Sequence, residues 1–321
     1  MSWRAHDSAT SDLIASSSEP GEHLHLRAHG DNPARPPVLF VHGATYASRL
    51  FDVPHPGASW LAATVEAGFA AYALDIRGYG RSRRDLSAAT APFARAPDAV
   101  RDIGDAVAWI LDRHGTGRLR LVGGSWGSIT AAMFATMAPD RVAALVLSAP
   151  IYAERNPGWL SFLADPAAPE RFNPAFGAAR LVSEAATRAR WDAEIPDGAD
   201  WREEPVLQAL VQASLADDPA AAGRCPPAFE APNGTLHDLW QAFNGQPLYD
   251  PAQIRCPTLL IRGSADPTST RSDALELFDR LGAATRHYVE IANGAHFLSA
   301  ERNAPQLFAA TTAFLQANGG G

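Results

Sequence analysis

Cysteine is almost absent from this chain: Cys225 and Cys256 are the only two among 321 residues, and each stands directly before a proline. Two isolated thiols make no disulfide framework, so the expectation is a reduced, cytoplasmic protein. Long apolar runs are lacking too. No stretch approaches the roughly twenty residues that cross a bilayer. The opening Met1-Ser2-Trp3-Arg4-Ala5-His6-Asp7 has no apolar centre of the kind a signal peptide carries, and no membrane partner is expected. Basic charge is in deficit, with 35 acidic residues against 27 basic ones and a net charge of −8. The two signs are interspersed rather than blocked. A nucleic-acid partner demands a basic face, so that class is set aside. Metal-ligand spacings such as H-E-x-x-H or C-x-x-C do not occur, and neither a metal nor a cofactor is called for. His23 and His25 alternate on a strand-like run and read as residues of an exposed strand, not as ligands.

What the chain does have is an alternation of short apolar runs with amphipathic segments. Val38–Val41, Ala70–Leu74, Leu119–Val122, Ala143–Leu147, Thr258–Ile261 and His287–Ile291 are near-continuous and apolar, as suits strands buried on both faces of a parallel sheet. Between them, Ile103, Val107, Ile110 and Leu111 fall on one helical stripe that ends at His114-Gly115. Ile129, Met133, Phe134 and Met137 form another, and Leu307, Phe308, Phe314 and Leu315 a third. Such alternation predicts an α/β fold with a mostly parallel, doubly wound sheet. The rhythm breaks between residues 151 and 250, which carry prolines, charges, Ala-rich helical pieces and Trp159, Trp191, Trp201 and Trp240, but no clear strand. The division expected is a core of residues 1–150 and 251–321 with a helical insertion, 151–250, over the C-terminal edge of the sheet. Gly319-Gly320-Gly321 reads as a frayed tail.

Three strand ends carry the chemistry. Gly123-Gly124-Ser125-Trp126-Gly127 is a G-x-S-x-G pentapeptide, common enough by chance, but here it sits between a strand and a helix. In that setting small flanking residues let the backbone turn sharply and expose the Ser125 hydroxyl as a nucleophile. A serine needs a base, and the base needs an orienting partner. Asp266 follows the Thr258–Ile261 run, where a parallel sheet opens its ligand crevice. His296 follows the last strand in the small-residue loop Ala292-Asn293-Gly294-Ala295. His287 lies inside the strand and reads as structural. An unperturbed imidazole, near pKa 6.5, would let activity fall below about pH 6. The developing oxyanion calls for backbone donors. Trp126 N–H, at the start of the following helix, is the first choice. Ala44 N–H, in the turn after His42-Gly43, is the second, with Thr45 and Tyr46 beside it. His42 reads as a brace for that turn.

On Val41-His42-Gly43, Asp75-Ile76-Arg77-Gly78-Tyr79-Gly80-Arg81-Ser82, the Ser125 pentapeptide, Arg262-Gly263-Ser264-Ala265-Asp266 and Gly294-Ala295-His296-Phe297, the chain resembles the α/β-hydrolase superfamily over nearly its whole length. The resemblance implies a Ser-His-Asp hydrolase with a cap inserted after the sixth core strand, and structural roles for Asp75 and Arg77. The Gly123–Ser128 segment is similar to that of proline iminopeptidases. Those enzymes carry Gly-Pro-Gly after the His-Gly strand end, where this chain has Ala44-Thr45-Tyr46. An acidic pair for a peptide N-terminus has one candidate, Glu203-Glu204 beside Trp201-Arg202, which reads better as a solvated helix end. The resulting expectation is a serine esterase, Ser125-His296-Asp266, cleaving a carboxylic ester of a small, partly apolar molecule. An iminopeptidase-like amidase and a non-catalytic receptor on the same fold are the alternatives. Trp159, Phe162, Trp240 and Phe243 are possible pocket walls and equally good packing residues. Oligomeric state is not specified by the sequence.

Overall fold

In the computed structural model, which describes residues 10–318, the apolar runs pair into one sheet of eight strands. They are β1 (Thr10–Ala15), β2 (His23–His29), β3 (Pro37–Val41), β4 (Ala70–Leu74), β5 (Leu119–Gly124), β6 (Val142–Ser148), β7 (Thr258–Gly263) and β8 (Arg286–Ile291). Their spatial order is β1-β2-β4-β3-β5-β6-β7-β8. Every neighbouring pair from β4 to β8 is parallel. β1 and β2 join antiparallel at one edge. The opening heptapeptide and the glycine tail lie outside the described residues.

Period-two alternation splits the strand side chains between two apolar layers. Val38, Phe40, Val122, Val146 and Ile261 face one layer, with Trp60 and Leu61 of α1 (Trp60–Glu66) and Leu307, Phe308 and Phe314 of α9 (Ala304–Ala317). Leu39, Val41, Leu121, Leu145 and Leu260 face the other, beside α2 (Ala96–His114) and α3 (Trp126–Met137). The α2 stripe is buried as its spacing predicts, and Gly115 ends the helix in the left-handed conformation. The α3 stripe holds for Ile129 and Phe134, but Met137 is 71% exposed, where the stripe runs off the end of the helix.

Two expectations change. β1 has a single buried side chain, Ile14, so it offers no alternation to read. It nevertheless covers β2, and His25 is therefore buried, not exposed: its Nδ1 lies 2.9 Å from Asp75 Oδ2 and its Nε2 contacts Ser11 Oγ. The 151–250 segment, between β6 and β7, is also not purely helical. It holds α4 (Pro157–Leu163), α5 (Glu184–Glu194), α6 (Glu204–Asp217) and α7 (Gly234–Phe243), but also two small antiparallel pairs. Ala164–Asp165 pairs with Ala168–Phe172, and Ala179–Ser183 with Ala228–Pro232. Ala168–Phe172 and Ala179–Ser183 are mostly exposed or half-buried, Ala164–Asp165 has two residues, and the last strand ends on Pro232, so none stands out in a sequence. Leu160, Leu163, Trp191, Leu207, Leu210 and Leu239 bury the insertion against the α2–α3 layer. After β7 comes α8 (Arg271–Arg280), which leads to β8. Among the described residues no helix is long and apolar enough to cross a membrane, and both cysteines are free.

Candidate active site

Ser125 is the single residue between the end of β5 and the start of α3, and it adopts φ 56°, ψ −123°. A non-glycine residue there stores strain, which the surroundings must hold in place. They do so by close packing on both sides. A Cβ on Gly123 would fall on the Gly127 carbonyl, and one on Gly127 would fall on the Val41 and His42 carbonyls. Ser125 N–H donates to Ser148 O at 2.9 Å, and Ser128 N–H donates to Ser125 O at 2.8 Å.

Ser125 Oγ lies 2.9 Å from His296 Nε2, and His296 Nδ1 lies 2.8 Å from Asp266 Oδ2. The other Asp266 oxygen accepts from Thr268 N–H at 2.8 Å and Ser269 N–H at 2.9 Å. The carboxylate is therefore fixed before it orients the imidazole. Burial alone would push the His296 pKa down. The charge and hydrogen bond of Asp266 override it, with Glu194 adding and Arg190 opposing, so the pKa stands above the ordinary imidazole value. Three side chains separated by up to 171 positions thus form one hydrogen-bonded chain of acid, base and hydroxyl. Chemically, such a chain can take a proton from the hydroxyl and return it to a leaving group.

Trp126 is the first residue of α3, so its N–H falls in the turn that has no intrahelical acceptor. Its indole Nε1 donates to the buried Asp238 at 3.1 Å. The Ala44 turn is held through its carbonyl, which accepts from Tyr79 Oη at 2.8 Å and from Arg180 Nη2 at 2.6 Å. Arg180 also reaches Thr45 Oγ1 at 3.0 Å and Asn233 Oδ1 at 2.9 Å. His42 braces the same turn, as its position suggests: Ile76 N–H donates to its Nε2 at 3.1 Å, and burial pushes its pKa down. Asp75 and Arg77 are structural as well, Asp75 holding His25 and Ser48 N–H, and Arg77 holding Asp102. His287 lies on β8 with its ring 5.4 Å from that of Phe314.

A cavity opens beside Ser125 and His296, bordered by Ala44, Thr45 and Tyr46 and by apolar Leu50, Phe51, Leu239 and Phe297. Of the aromatic residues considered as walls, Trp159 borders it and Phe243 stacks behind Trp159 with centroids 5.6 Å apart. Phe162 and Trp240 are not among its lining residues. Glu203 and Glu204 are not either: Glu203 pairs with Arg302, and Glu204 with Arg188 and Arg202.

The sequence reading missed the residues of α5. Thr187, Arg190, Trp191 and Glu194 recur at helical spacing on one face. Trp191 is fully buried and stacks on Phe297, the neighbour of His296, at 4.8 Å. Its indole Nε1 donates to Glu301 Oε1 at 3.2 Å, while Glu301 Oε2 accepts from Ala295 N–H at 2.8 Å. Both neighbours of His296 are thereby gripped. That i, i+3, i+4, i+7 spacing was the available signal, but two of the four residues are charged and do not count as an apolar stripe.

A parallel sheet with these three loops at its strand ends defines a hydrolase fold. The chain belongs to the α/β-hydrolase fold family, whose sequence model matches residues 36–302. A 160-residue stretch is 32% identical to epoxide hydrolase 3 of Siraitia grosvenorii, covering 49% of this chain and 42% of that protein. A 131-residue stretch is 37% identical to lipase LipV of Mycobacterium tuberculosis, covering 40% of this chain and 42% of that one. The matches span less than half of either relative. Among solved structures, an esterase from Exiguobacterium antarcticum shares the fold at TM-score 0.66 and 14% identity, covering 96% of this chain and 100% of that one.

Proposed function

We propose that the protein is a serine hydrolase of small, partly apolar carboxylic esters. The observation that carries this reading is the continuous chain Ser125–His296–Asp266. His296 takes the Ser125 proton as the hydroxyl attacks the acyl carbonyl. Asp266 holds the imidazole in the tautomer with its free nitrogen toward Ser125 and stabilises the imidazolium that forms. Trp126 N–H and Ala44 N–H receive the oxyanion. His296 then protonates the departing alcohol, and water activated by the same imidazole releases the acid and frees Ser125.

Chemistry favours an ester over the epoxide that one relative's name suggests and over the amine substrate of an aminopeptidase. A serine that opened an epoxide would be left as an ether, with no carbonyl for water to attack, and turnover would stop. An aminopeptidase must hold an ammonium group, yet no carboxylate is among the described residues lining the cavity. Glu194, on the inner face of α5, pairs with Arg190 through one oxygen at 2.8 Å and is not among those lining residues. The aromatic and aliphatic lining suits the insertion to act as a cap over an apolar acyl or alcohol group.

The test is a panel of p-nitrophenyl esters, lactones and aminoacyl anilides assayed with the parent protein and Ser125→Ala. Ester turnover is expected to dominate and to fall by roughly 10⁴-fold in the variant. Equal turnover by both proteins, or a preference for anilides, would overturn the reading.

A further inference from the structure

Three basic side chains border the cavity beside Ser125: Arg190, Arg262 and His296. His296 is held in the chain described above. Arg262 is committed inside the fold, with Nε donating to Ser269 O at 2.7 Å, Nη1 to Glu290 at 2.6 Å and Nη2 to Asp266 O at 3.1 Å. It is only 3% exposed. Arg190 differs. Its side chain is one-third exposed, and Nε and Nη2 both donate to a single oxygen of Glu194, at 3.2 and 2.8 Å. Among the described residues Nη1 has no partner.

The guanidinium is held in a defined plane, its central carbon 4.7 Å from the centre of the Trp159 ring. Trp159 is anchored in turn by an Nε1 hydrogen bond to Thr268 Oγ1 at 3.0 Å and by its stack on Phe243. Arg190 and Trp159 also border a second recess, beyond the cavity, together with Glu194, Asn156 and Phe162. Glu194 borders that outer recess and not the inner cavity. Glu194 takes Nε and Nη2 with one oxygen and leaves Nη1 unpaired, its own second oxygen, Oε2, being buried without a partner among the described residues. Arg180 adds a second positive charge nearby, and its side-chain partners are all neutral: Ala44 O, Thr45, Pro232 O and Asn233.

We infer that Arg190 receives a carboxylate carried by the substrate, which makes the substrate an ester whose acyl chain ends in a second, free carboxyl group. This rests on the ester reading above and narrows it. A planar guanidinium matches a carboxylate in geometry and charge, and the match gains strength in a partly dry, apolar space. Trp159, Leu239 and Phe297 also line that cavity, which suits the methylene spacer of a dicarboxylic monoester.

The experiment compares mono-p-nitrophenyl succinate and glutarate with the near-isosteric neutral butyrate and valerate, in the parent, R190Q and R190K. The quantity read is the ratio of kcat/KM for the anionic ester to that for the neutral one, so general damage to the site cancels. The parent is expected to favour the anionic ester by about tenfold or more, R190Q to bring the ratio near one, and R190K to recover part of it. An unchanged ratio in R190Q, or a parent that prefers the neutral ester, would overturn the assignment. Calorimetric binding of monomethyl glutarate to S125A and to S125A/R190Q separates the two proposals. Binding that weakens about tenfold in the double variant supports the anion site even if no ester is cleaved. No binding to S125A, or equal binding to both, defeats the site and leaves ester cleavage to be judged by its own assay.

Discussion

The sheet and the insertion contribute to the candidate site by different physical means. Ser125, Asp266 and His296 stand on loops at the ends of β5, β7 and β8, and backbone contact sets the positions of the first two. Ser125 is fixed by glycines packed against carbonyls, and Asp266 by two backbone N–H groups. The insertion works through side chains. Arg180 holds the Ala44 carbonyl, Trp191 grips Phe297 and Glu301, and Trp159 and Arg190 border the cavity. Backbone contacts tolerate no substitution at the glycines that make them. Side-chain clamps can be removed one at a time, with graded effects. The two regions therefore meet at the candidate site through different kinds of contact.

The most severe test of that contrast is Gly127→Ala. A methyl group there would fall on the carbonyls of Val41 and His42, and neither β3 nor α3 can retreat without unpacking the layer between them. Destabilisation above about 3 kcal/mol is expected, seen as a collapse of the urea midpoint or as insoluble protein. A stable, active Gly127→Ala would mean that the turn at Ser125 does not depend on this packing.

The same contrast explains how much could be read from the sequence. Buried parallel strands have to be apolar and short, so β3 to β7 were visible, and with them the strand ends that carry Ser125 and Asp266; β8, an edge strand with only Ile291 buried, was visible instead through its β-prone Tyr288-Val289-Glu290-Ile291. β1 was not, because an edge strand with only Ile14 buried has no periodicity. His25 was misplaced for the same reason, since the strand that covers it was invisible. Residues that act through side-chain contacts with distant segments left little trace. Arg180 lies on a five-residue strand where it pairs with Ala231, 51 positions further on, and the Ala44 turn it holds is 136 positions earlier. Glu301 lies before the C-terminal stripe of Leu307, Phe308, Phe314 and Leu315, and nothing local marks it as a partner of Trp191.

Arg180→Met probes the insertion's hold on the Ala44 turn. Three of the four acceptors of its guanidinium are backbone carbonyls or an amide oxygen, and burial pushes its pKa down, so Met removes a costly charge along with the clamp. A drop in kcat of roughly 10- to 100-fold is expected, with a much smaller change in KM and in melting temperature. A change confined to KM would assign Arg180 to substrate contact rather than to placement of the turn.

The acid limb of kcat/KM reports on His296 without any substitution. The base must be neutral to accept the Ser125 proton, and Asp266 raises its pKa above 6.5 despite burial. Activity should therefore rise with pH through a midpoint above 6.5, higher than an unperturbed imidazole would give. A midpoint well below 6.5 would mean that the hydrogen bond from His296 Nδ1–H to Asp266 is absent in the free enzyme.

The smallest expected effect lies at the junction of the two regions, on Glu301. Burial pushes its carboxyl up to about 7, against the hydrogen bonds from Ala295 N–H and Trp191 Nε1, and Asp266 and Glu194 push it further the same way. In the unfolded chain the group loses its proton near 4.5. Between those values the folded protein binds a proton that the unfolded chain has released, so this residue makes stability fall as pH rises from about 4.5 to 7 and adds no slope above that. Glu301→Gln removes the titration. At pH 5 the parent carries a neutral carboxylic acid there, so parent and variant present comparable groups to the same two donors. At pH 8 only the parent carries a buried charge. Urea unfolding at the two pH values should thus shift in favour of Glu301→Gln on going from pH 5 to pH 8, by on the order of 2 kcal/mol. A parent and variant that keep the same difference at both pH values would show that the carboxylate is well solvated, and that Trp191 and Ala295 are not closed around it as tightly as the distances imply.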